Sequence, residues 1–470
     1  MTTLTGAAIG AIVFSGMAEA LSARELSARS SEPTERIDAW CDAGLIGDKT
    51  SRLFAPEDLQ RIRLIQFLLR HGFALEAIVQ ANKEAGIIES HVELLASDGQ
   101  SETYSVEEAA AKIGWGIETV CRFLDAAGLA EKSSCLAEED VRALRALKLG
   151  EEAGLPEAAL LQLARVYSDA LGRVAEAEVR LFHFHVHEPL KARGLSAREL
   201  REATADARHH ASSLIEPSLL YFHRRGMERA MREDALLHIQ EDVQRLGLLG
   251  QVHAAVVFVD LASFTPMTEV MGDHAAADVL DRYAHLVRDA VAHHDGRVVK
   301  QIGDAFMLLF PRADDALACA LAIEARSATE PQFTAVRSGL HCGPVLYREG
   351  DYLGTTVNVA ARLVSEAQRH QVLLTAALRQ DASALPGVDF VALGSRPLKG
   401  LAEPLEVFEA VPSRRTDLHE RLLDPVCGME LQRGEVAARL SLADGERGFC
   451  SQDCLRRFVA APEKYEPPGR

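Results

Sequence analysis

Along the first half of the chain, apolar residues recur every three or four positions; from His253 onward they gather in short alternating or unbroken runs. The first pattern predicts helices and the second predicts strands, so a helical N-terminal half is expected to lead into a mixed α+β half. One block of the helical half occurs twice. Asp42-Ala43-Gly44-Leu45 returns as Ala126-Ala127-Gly128-Leu129, Pro56-Glu57-Asp58-Leu59 as Glu138-Glu139-Asp140-Val141, and His71-Gly72-Phe73 as Ala153-Gly154-Leu155. Each copy predicts a short helix, a helix stopped by a Gly-Leu cap, a small loop and an amphipathic helix ending at another glycine. Residues 169–246 continue as helices with heptad-like spacing, and Leu236, Ile239, Val243 and Leu246 outline an a/d seam.

In the second half, Ala254-Ala255-Val256-Val257-Phe258-Val259-Asp260 reads as a buried strand with a carboxylate at its end. Leu261-Ala262-Ser263-Phe264-Thr265 then leads into a helix expected to run on through Leu280 and Val287. Arg297–Ile302 and Ala305–Phe310 predict two strands with Gly303-Asp304 as the tip of a tight hairpin. Asp304 therefore projects from a turn and Asp260 from a strand end, which lets both reach one site.

Composition narrows the picture. At 470 residues the chain exceeds one ordinary core and predicts several units. A hydrophobic share of 48% with 26% charged residues is that of a globular chain. The net charge of −18 opposes any broad nucleic-acid footprint, because phosphate binding rests on Lys and Arg. The apolar stretch Gly6–Met17 has no basic residue before it, and no charge-free run is long enough to span a bilayer, so neither an export signal nor a membrane span is expected. The predicted location is cytoplasmic. Eight cysteines do not make a disulfide framework at this length. Cys41, Cys121, Cys135, Cys319 and Cys342 read as small core or surface residues, whereas the three near the C-terminus look like metal ligands. His183 and His187, in a Phe-His-Phe-His-Val-His run, share a helix face at i,i+4 and read as ordinary packing.

The order of elements in the repeated block resembles the MerR-like winged-helix domain, over 21–97 for the first copy and 103–168 for the second. Acids outnumber bases between Leu21 and Ser97, and the two are interleaved, so a scaffold for dimerisation or sensing is preferred to DNA binding, which would be local. Further along, Phe258-Val259-Asp260-Leu261-Ala262-Ser263-Phe264-Thr265, Lys300-Gln301-Ile302-Gly303-Asp304-Ala305-Phe306 and Asp351-Tyr352-Leu353-Gly354-Thr355-Thr356-Val357-Asn358-Val359-Ala360-Ala361-Arg362 resemble, in order, three motifs of class III nucleotide cyclases. The resemblance, over 247–412, implies a ferredoxin-like βαββαβ domain that dimerises head to tail with its active site at the dimer interface. It also implies that Asp260 and Asp304 hold two Mg²⁺ or Mn²⁺ ions, that Lys300 and Asp351 read the base, and that Asn358 and Arg362 act on the transition state. Lys399, in Pro397-Leu398-Lys399-Gly400, matches a late phosphate-binding lysine of the family.

The residue chemistry agrees with those roles. Adenine offers an acceptor at N1 and a donor at N6, so a Lys donor beside an Asp acceptor complements it, whereas guanine inverts both positions. Asn358 and Arg362, four apart on a predicted helix, lie on one face, where Arg362 can meet charge growing on the α-phosphate. Two nearby carboxylates repel unless protons or cations intervene, and paired divalent ions are the usual answer in phosphoryl chemistry.

After the polar linker Pro412-Ser413-Arg414-Arg415, the segment 422–467 carries Asp424-Pro425-Val426-Cys427-Gly428-Met429 and Phe449-Cys450-Ser451-Gln452-Asp453-Cys454 and resembles the small YHS domain. Cys450 and Cys454 are expected to share a helix face with Cys427 approaching from a turn, a thiolate set suited to zinc or copper. The expected protein is thus multidomain: winged-helix-like helical repeats, a helical linker over 169–246, the cyclase domain and a small metal-binding C-terminal module. The expected activity is homodimeric adenylate cyclase, forming cyclic AMP and pyrophosphate from ATP. The competing readings are guanylate cyclase and a DNA-binding regulator that keeps a degenerate cyclase domain as a nucleotide sensor.

Overall fold

A computed structural model of the chain describes residues 21–89, 92, 103–129, 136–244, 251–382, 385–401, 403–413, 421–442 and 444–465. It divides into two compact units, Met1–Arg232 and Glu233–Arg470.

The first unit carries helices α1 (Ala23–Ser30), α2 (Thr34–Ala43), α3 (Asp58–Arg70) and α4 (Leu75–Ala85), then β1 (Thr103–Tyr104), α5 (Val106–Ile113), α6 (Ile117–Ala126), β2 (Leu136–Ala137), α7 (Glu138–Glu152) and α8 (Glu157–Phe182). A π-helical turn, His183–His187, leads to α9 (Glu188–Ala192) and the long α10 (Ala197–Gln244). The internal repeat is built from the same local devices twice. Ser22 with Glu25 and Ser105 with Glu108 form capping boxes at the first helix of each copy. Gly44 and Gly128 turn the chain at positive φ, and the following leucine N–H bonds back to a carbonyl of the helix just ended. Leu21 bridges Phe54 in the first copy as Tyr104 pairs with Leu136 in the second. Trp40, Ile37 and Ile62 fill one core, and Phe123, Val120 and Leu144 fill the other. The seam residues Leu236, Ile239, Val243 and Leu246 fall outside the described side chains, as does Cys135.

The second unit begins with β3 (Gln251–Leu261), α11 (Phe264–Met271), α12 (Asp273–His293), β4 (Arg297–Ile302), β5 (Ala305–Phe310), α13 (Ala313–Ser327), β6 (Val336–Arg348), β7 (Asp351–Leu353) and α14 (Thr355–Glu366). It continues with β8 (Val372–Thr375), α15 (Ala376–Asp381), β9 (Val388–Arg396) and β10 (Leu405–Pro412), then β11 (Leu422–Leu423), β12 (Glu430–Leu431), β13 (Ala438–Leu442), β14 (Gly445–Phe449), α16 (Gln452–Ala460) and α17 (Pro462–Tyr465). One sheet runs β4-β5-β3-β6-β8-β10-β9, with β7 paired to β6. Its first four strands, with α12 and α13 between them, form the expected βαββαβ core, and the remaining strands extend the β6 edge.

β3 is apolar without interruption from Ala254 to Val259 because both of its faces are covered there. Ala255, Val257 and Val259 join Tyr283 and Val287 of α12 and Leu317 of α13, while Ala254, Val256 and Phe258 join Met307 and Ala360 and Val364 of α14. Each such fully buried Val or Phe contributes about 1.5–3 kcal/mol. Gly339 on β6 lets α14 approach: a β-carbon there would lie 2.2 Å from the Val364 nitrogen and 2.7 Å from the Ala360 oxygen.

Two expectations are corrected here. The helix read as continuous through Leu280 is two helices, broken at Gly272, whose φ of 81° and ψ of 165° no helix accommodates. The C-terminal module, expected as a separate domain beyond a linker, shares a core with the cyclase domain. Val426, Met429, Phe449 and Phe458 belong to the same buried cluster as Met267 and Phe333, and the Glu430 N–H donates to the Phe333 oxygen at 3.0 Å. A segment this short buries too little apolar surface alone, so it borrows a wall from its neighbour.

Candidate functional site

Asp260 is the last residue but one of β3, and Asp304 sits with Gly303 in the two-residue turn between β4 and β5, where Gly303 supplies the positive φ of 63°. Because Val259 pairs with Phe306, the strand end and the turn are neighbours. Burial, and then the charge of Asp260, push the Asp304 carboxyl up to about 6, while Arg337 pulls it the other way. Arg337, directly opposite Asp260 in the β3/β6 register, donates to it from Nε at 3.0 Å and from Nη2 at 2.6 Å. Beneath them the hydroxyl of Tyr283 is buried without a hydrogen-bond partner among the described residues, and burial together with the charges of Asp260 and Asp304 raises its pKa well above the phenol value. Two carboxylates in each other's field, with one holding its proton unusually tightly, fit a site for divalent cations.

Lys300 and Asp351 meet in a direct ion pair, both partly exposed. They are far apart along the sheet path, and the β6/β7 hairpin brings them together. Tyr352 of that hairpin is buried with Met307 and Val256, and the Arg297 guanidinium stands 4.6 Å from the centre of its ring. Asp351 thereby reaches β4, with its Oδ1 accepting from the Tyr352 N–H at 2.8 Å.

Asn358 and Arg362 lie one turn apart on α14, exposed, while Val359, Ala360, Leu363 and Val364 bury the opposite side. Lys399 is exposed between β9 and β10, next to buried Leu398. Among the described residues, no hydrogen bond or ion pair links the acid pair, the Lys300–Asp351 pair, the α14 pair and Lys399 to one another.

The structure brings the three C-terminal cysteines together, with Sγ separations of 3.5 Å from Cys427 to Cys450 and from Cys450 to Cys454. The expected shared helix face is corrected. Cys450 precedes α16, whose N-cap is Ser451, and only Cys454 is helical; the Ser451 hydroxyl accepts the Cys454 N–H at 3.1 Å. Capping ends the helix one residue short of Cys450. Hydrogen bonds from Cys427 and Cys450 hold the Cys454 thiol well below its usual range.

Sequence reasoning missed Arg337, Tyr283 and Asp424. Arg337 lies near the start of β6, and only its register opposite Asp260 gives it a role. The arginines of the first repeat are interleaved with acids in sequence; folding brings Arg29, Arg36, Arg63 and Arg70 to one groove, which Glu32 also lines, paired with Arg36 at 2.8 Å. The histidine run is a π-helical turn in which the His183 and His187 rings stack 5.4 Å apart beside Glu188.

The family profile described as Adenylate and Guanylate cyclase catalytic domain matches residues 250–408, Adenylate cyclase regulatory domain matches 53–227, and MerR HTH family regulatory protein matches 21–84. An uncharacterised protein of Mycobacterium tuberculosis is 30% identical over 365 residues, covering 74% of this chain and 90% of its own length. An adenylate cyclase of Streptomyces coelicolor is 30% identical over 286 residues, covering 60% of this chain and 72% of its own. Among solved structures, an adenylate cyclase from Trypanosoma brucei aligns at 23% identity over 36% of this chain and 92% of that one, with a TM-score of 0.33. Matched in both its catalytic and its regulatory half, the chain belongs to the class III nucleotide cyclase family.

Proposed function

We propose that the enzyme converts ATP to 3′,5′-cyclic AMP and pyrophosphate at a site completed by a second copy of the chain. The observation that carries this reading is the separation of complementary groups on one chain: repelling acids at Asp260 and Asp304, and the exposed pair Asn358 and Arg362 on α14 with no side-chain partner among the described residues. Each set lacks what the other supplies. The long α10 also exposes Leu214, Tyr221, Phe222 and Met231, an apolar surface suited to a second copy.

When bound, two Mg²⁺ or Mn²⁺ ions at Asp260 and Asp304 would lower the pKa of the ribose 3′-hydroxyl and neutralise phosphate charge. Arg337 holds Asp260 in orientation. Lys300 donates to adenine N1 and Asp351 accepts from N6; guanine would face each with a like partner, and hydrogen bonds to charged groups are worth about 1.5–3 kcal/mol. Asn358 orients the ribose, Arg362 meets the charge that grows on the α-phosphate, and Lys399 binds phosphate. The 3′-oxygen attacks the α-phosphorus, its proton passes to solvent, and the bond to pyrophosphate breaks. A cytoplasmic location goes with ATP as substrate. The test is complementation: inactive Asp260→Ala mixed with inactive Asn358→Ala should regain roughly a quarter of wild-type turnover through random pairing across a two-fold interface. No recovery despite demonstrated subunit exchange would place the whole site in one chain.

A local DNA contact rests on the arginine groove of the first repeat. Binding that survives Arg63→Ala with Arg70→Ala, or that ignores salt, would remove it.

A further inference from the structure

The Cys427 turn of the C-terminal module ends on the backbone that leaves the catalytic strand. Gly428 has φ +75°, and a β-carbon there would lie 2.6 Å from the Cβ of Ser263. The Gly428 oxygen accepts from Nη2 of Arg369 at 2.9 Å, and Nη1 of the same arginine donates to the Ser263 hydroxyl at 3.2 Å. The Thr334 hydroxyl lies within hydrogen-bond reach of the carbonyls of both Ala262 and Gly428. Ser263 follows Asp260 by one short turn and has φ +71°, a left-handed conformation that a residue with a β-carbon keeps only where its neighbours over-determine it.

The thiols beside Gly428 are arranged for a common ligand. Around one tetrahedral ion with metal–sulfur bonds of about 2.3 Å, sulfurs stand about 3.8 Å apart, close to the 3.5 Å seen here. A disulfide between any two would leave the third without a partner. Asp424, fully buried, ties the two cysteine-bearing turns together: its Oδ1 accepts the N–H groups of Val426 and Cys427, and its Oδ2 accepts that of Cys450 at 2.8 Å. It is a positioning residue whose carboxylate also lies within range of the thiol cluster.

We propose that Cys427, Cys450 and Cys454 bind one thiophilic ion, Zn²⁺ or Cu⁺, and that this ion sets the segment Leu261–Phe264 behind Asp260 through the Gly428 contact, so that turnover depends on it. The regulatory half rests on the cyclase reading above; the metal half does not. With the ion bound, the Cys427–Gly428 turn is rigid and Ser263 keeps its left-handed backbone. Without it the turn loosens, Ser263 relaxes, and Asp260 loses its alignment with Asp304.

The full-length protein in excess Mg²⁺ provides the test. Cobalt(II) should give thiolate charge-transfer and tetrahedral d–d bands saturating at one equivalent, lost in Cys450→Ser, and competition against zinc and copper(I) tells those ions apart. Removing zinc should lower cyclic AMP formation about tenfold and speed amide exchange in Leu261–Phe264 by a similar factor, both reversed by one equivalent of zinc. Gly428→Ala should bind cobalt as the wild type does, yet zinc should no longer change either readout. Arg369→Gln, which removes the bridging donors without crowding, should weaken the coupling in the same direction. No stoichiometric cobalt band, or a band that persists in Cys450→Ser, overturns the site. A bound ion that leaves both exchange and turnover unchanged overturns the coupling. A protein that binds cobalt but forms no cyclic AMP under any condition refutes the cyclase reading, and amide exchange still decides the coupling.

Discussion

Both hydrogen bonds from Arg337 to Asp260 end on the same oxygen, Oδ2, so the guanidinium fixes the carboxylate while leaving Oδ1 without an arginine donor among the described residues. The same positive charge lowers the pKa of neighbouring Asp304. Arg337→Ala should therefore reduce turnover and raise the Mg²⁺ concentration that half-saturates the rate, most of all toward pH 6, where protons compete with the ion for Asp304. Initial rates of cyclic AMP formation against Mg²⁺ at pH 6 and pH 8 check this; an unchanged Mg²⁺ dependence would show that Arg337 does not act on these acids.

Asp304→Asn should bring turnover below about a tenth of wild type without lowering the melting temperature at neutral pH. The ionised carboxylate at 304 is held against burial and against the charge of Asp260, so its removal relieves strain. Asp260→Ala should abolish turnover equally but leaves Arg337 partly buried without its carboxylate, a modest loss of stability. Calorimetry of the two variants side by side separates these effects.

Lys300→Glu with Asp351→Ser should shift the ratio of kcat/KM for ATP over GTP by at least about tenfold, or roughly 1.4 kcal/mol. A carboxylate at 300 can accept from guanine N1 and N2, and a hydroxyl at 351 can donate to O6. Because the natural pair is an ion pair, Lys300→Glu alone sets two carboxylates side by side, a repulsion that the added Asp351→Ser removes. An unchanged ratio in the folded double variant would take base reading away from these residues.

Gly339→Ala should lower stability by about 3 kcal/mol and turnover with it. The added methyl would collide with helix backbone at Val364 and Ala360, and the helix that must move carries Asn358 and Arg362. Thermal unfolding, with a fall of roughly 6–12 °C, is the measurement.

His370 should make stability depend on alkaline pH. Burial pulls its pKa down, but hydrogen bonds and charge from Glu324 and Glu430 outweigh this and hold it at about 9, with Arg369 also bonded to Glu430. A pKa raised from about 6.5 contributes stability fully below that value and loses it as pH rises through 9, in total on the order of 3 kcal/mol. Urea unfolding at pH 6 and pH 9.5 should differ by that amount in the wild type and much less in His370→Gln.

Local pattern was enough for much of this protein. The repeated helices and their glycine caps, the strand ending at Asp260, the Gly303-Asp304 hairpin and the helix that pairs Asn358 with Arg362 are each encoded within a few residues, by periodicity, capping and turn chemistry. The linkage of Arg337 to Asp260, the fold of the β6/β7 hairpin that delivers Asp351 to Lys300, and the fusion of the C-terminal core with Met267 and Phe333 were decided only by tertiary structure. Those relationships join residues distant in the chain, and strand register, close helix approach and shared burial fix them. No window of sequence contains both partners, so the sequence named the reacting groups and the packing decided which of them meet.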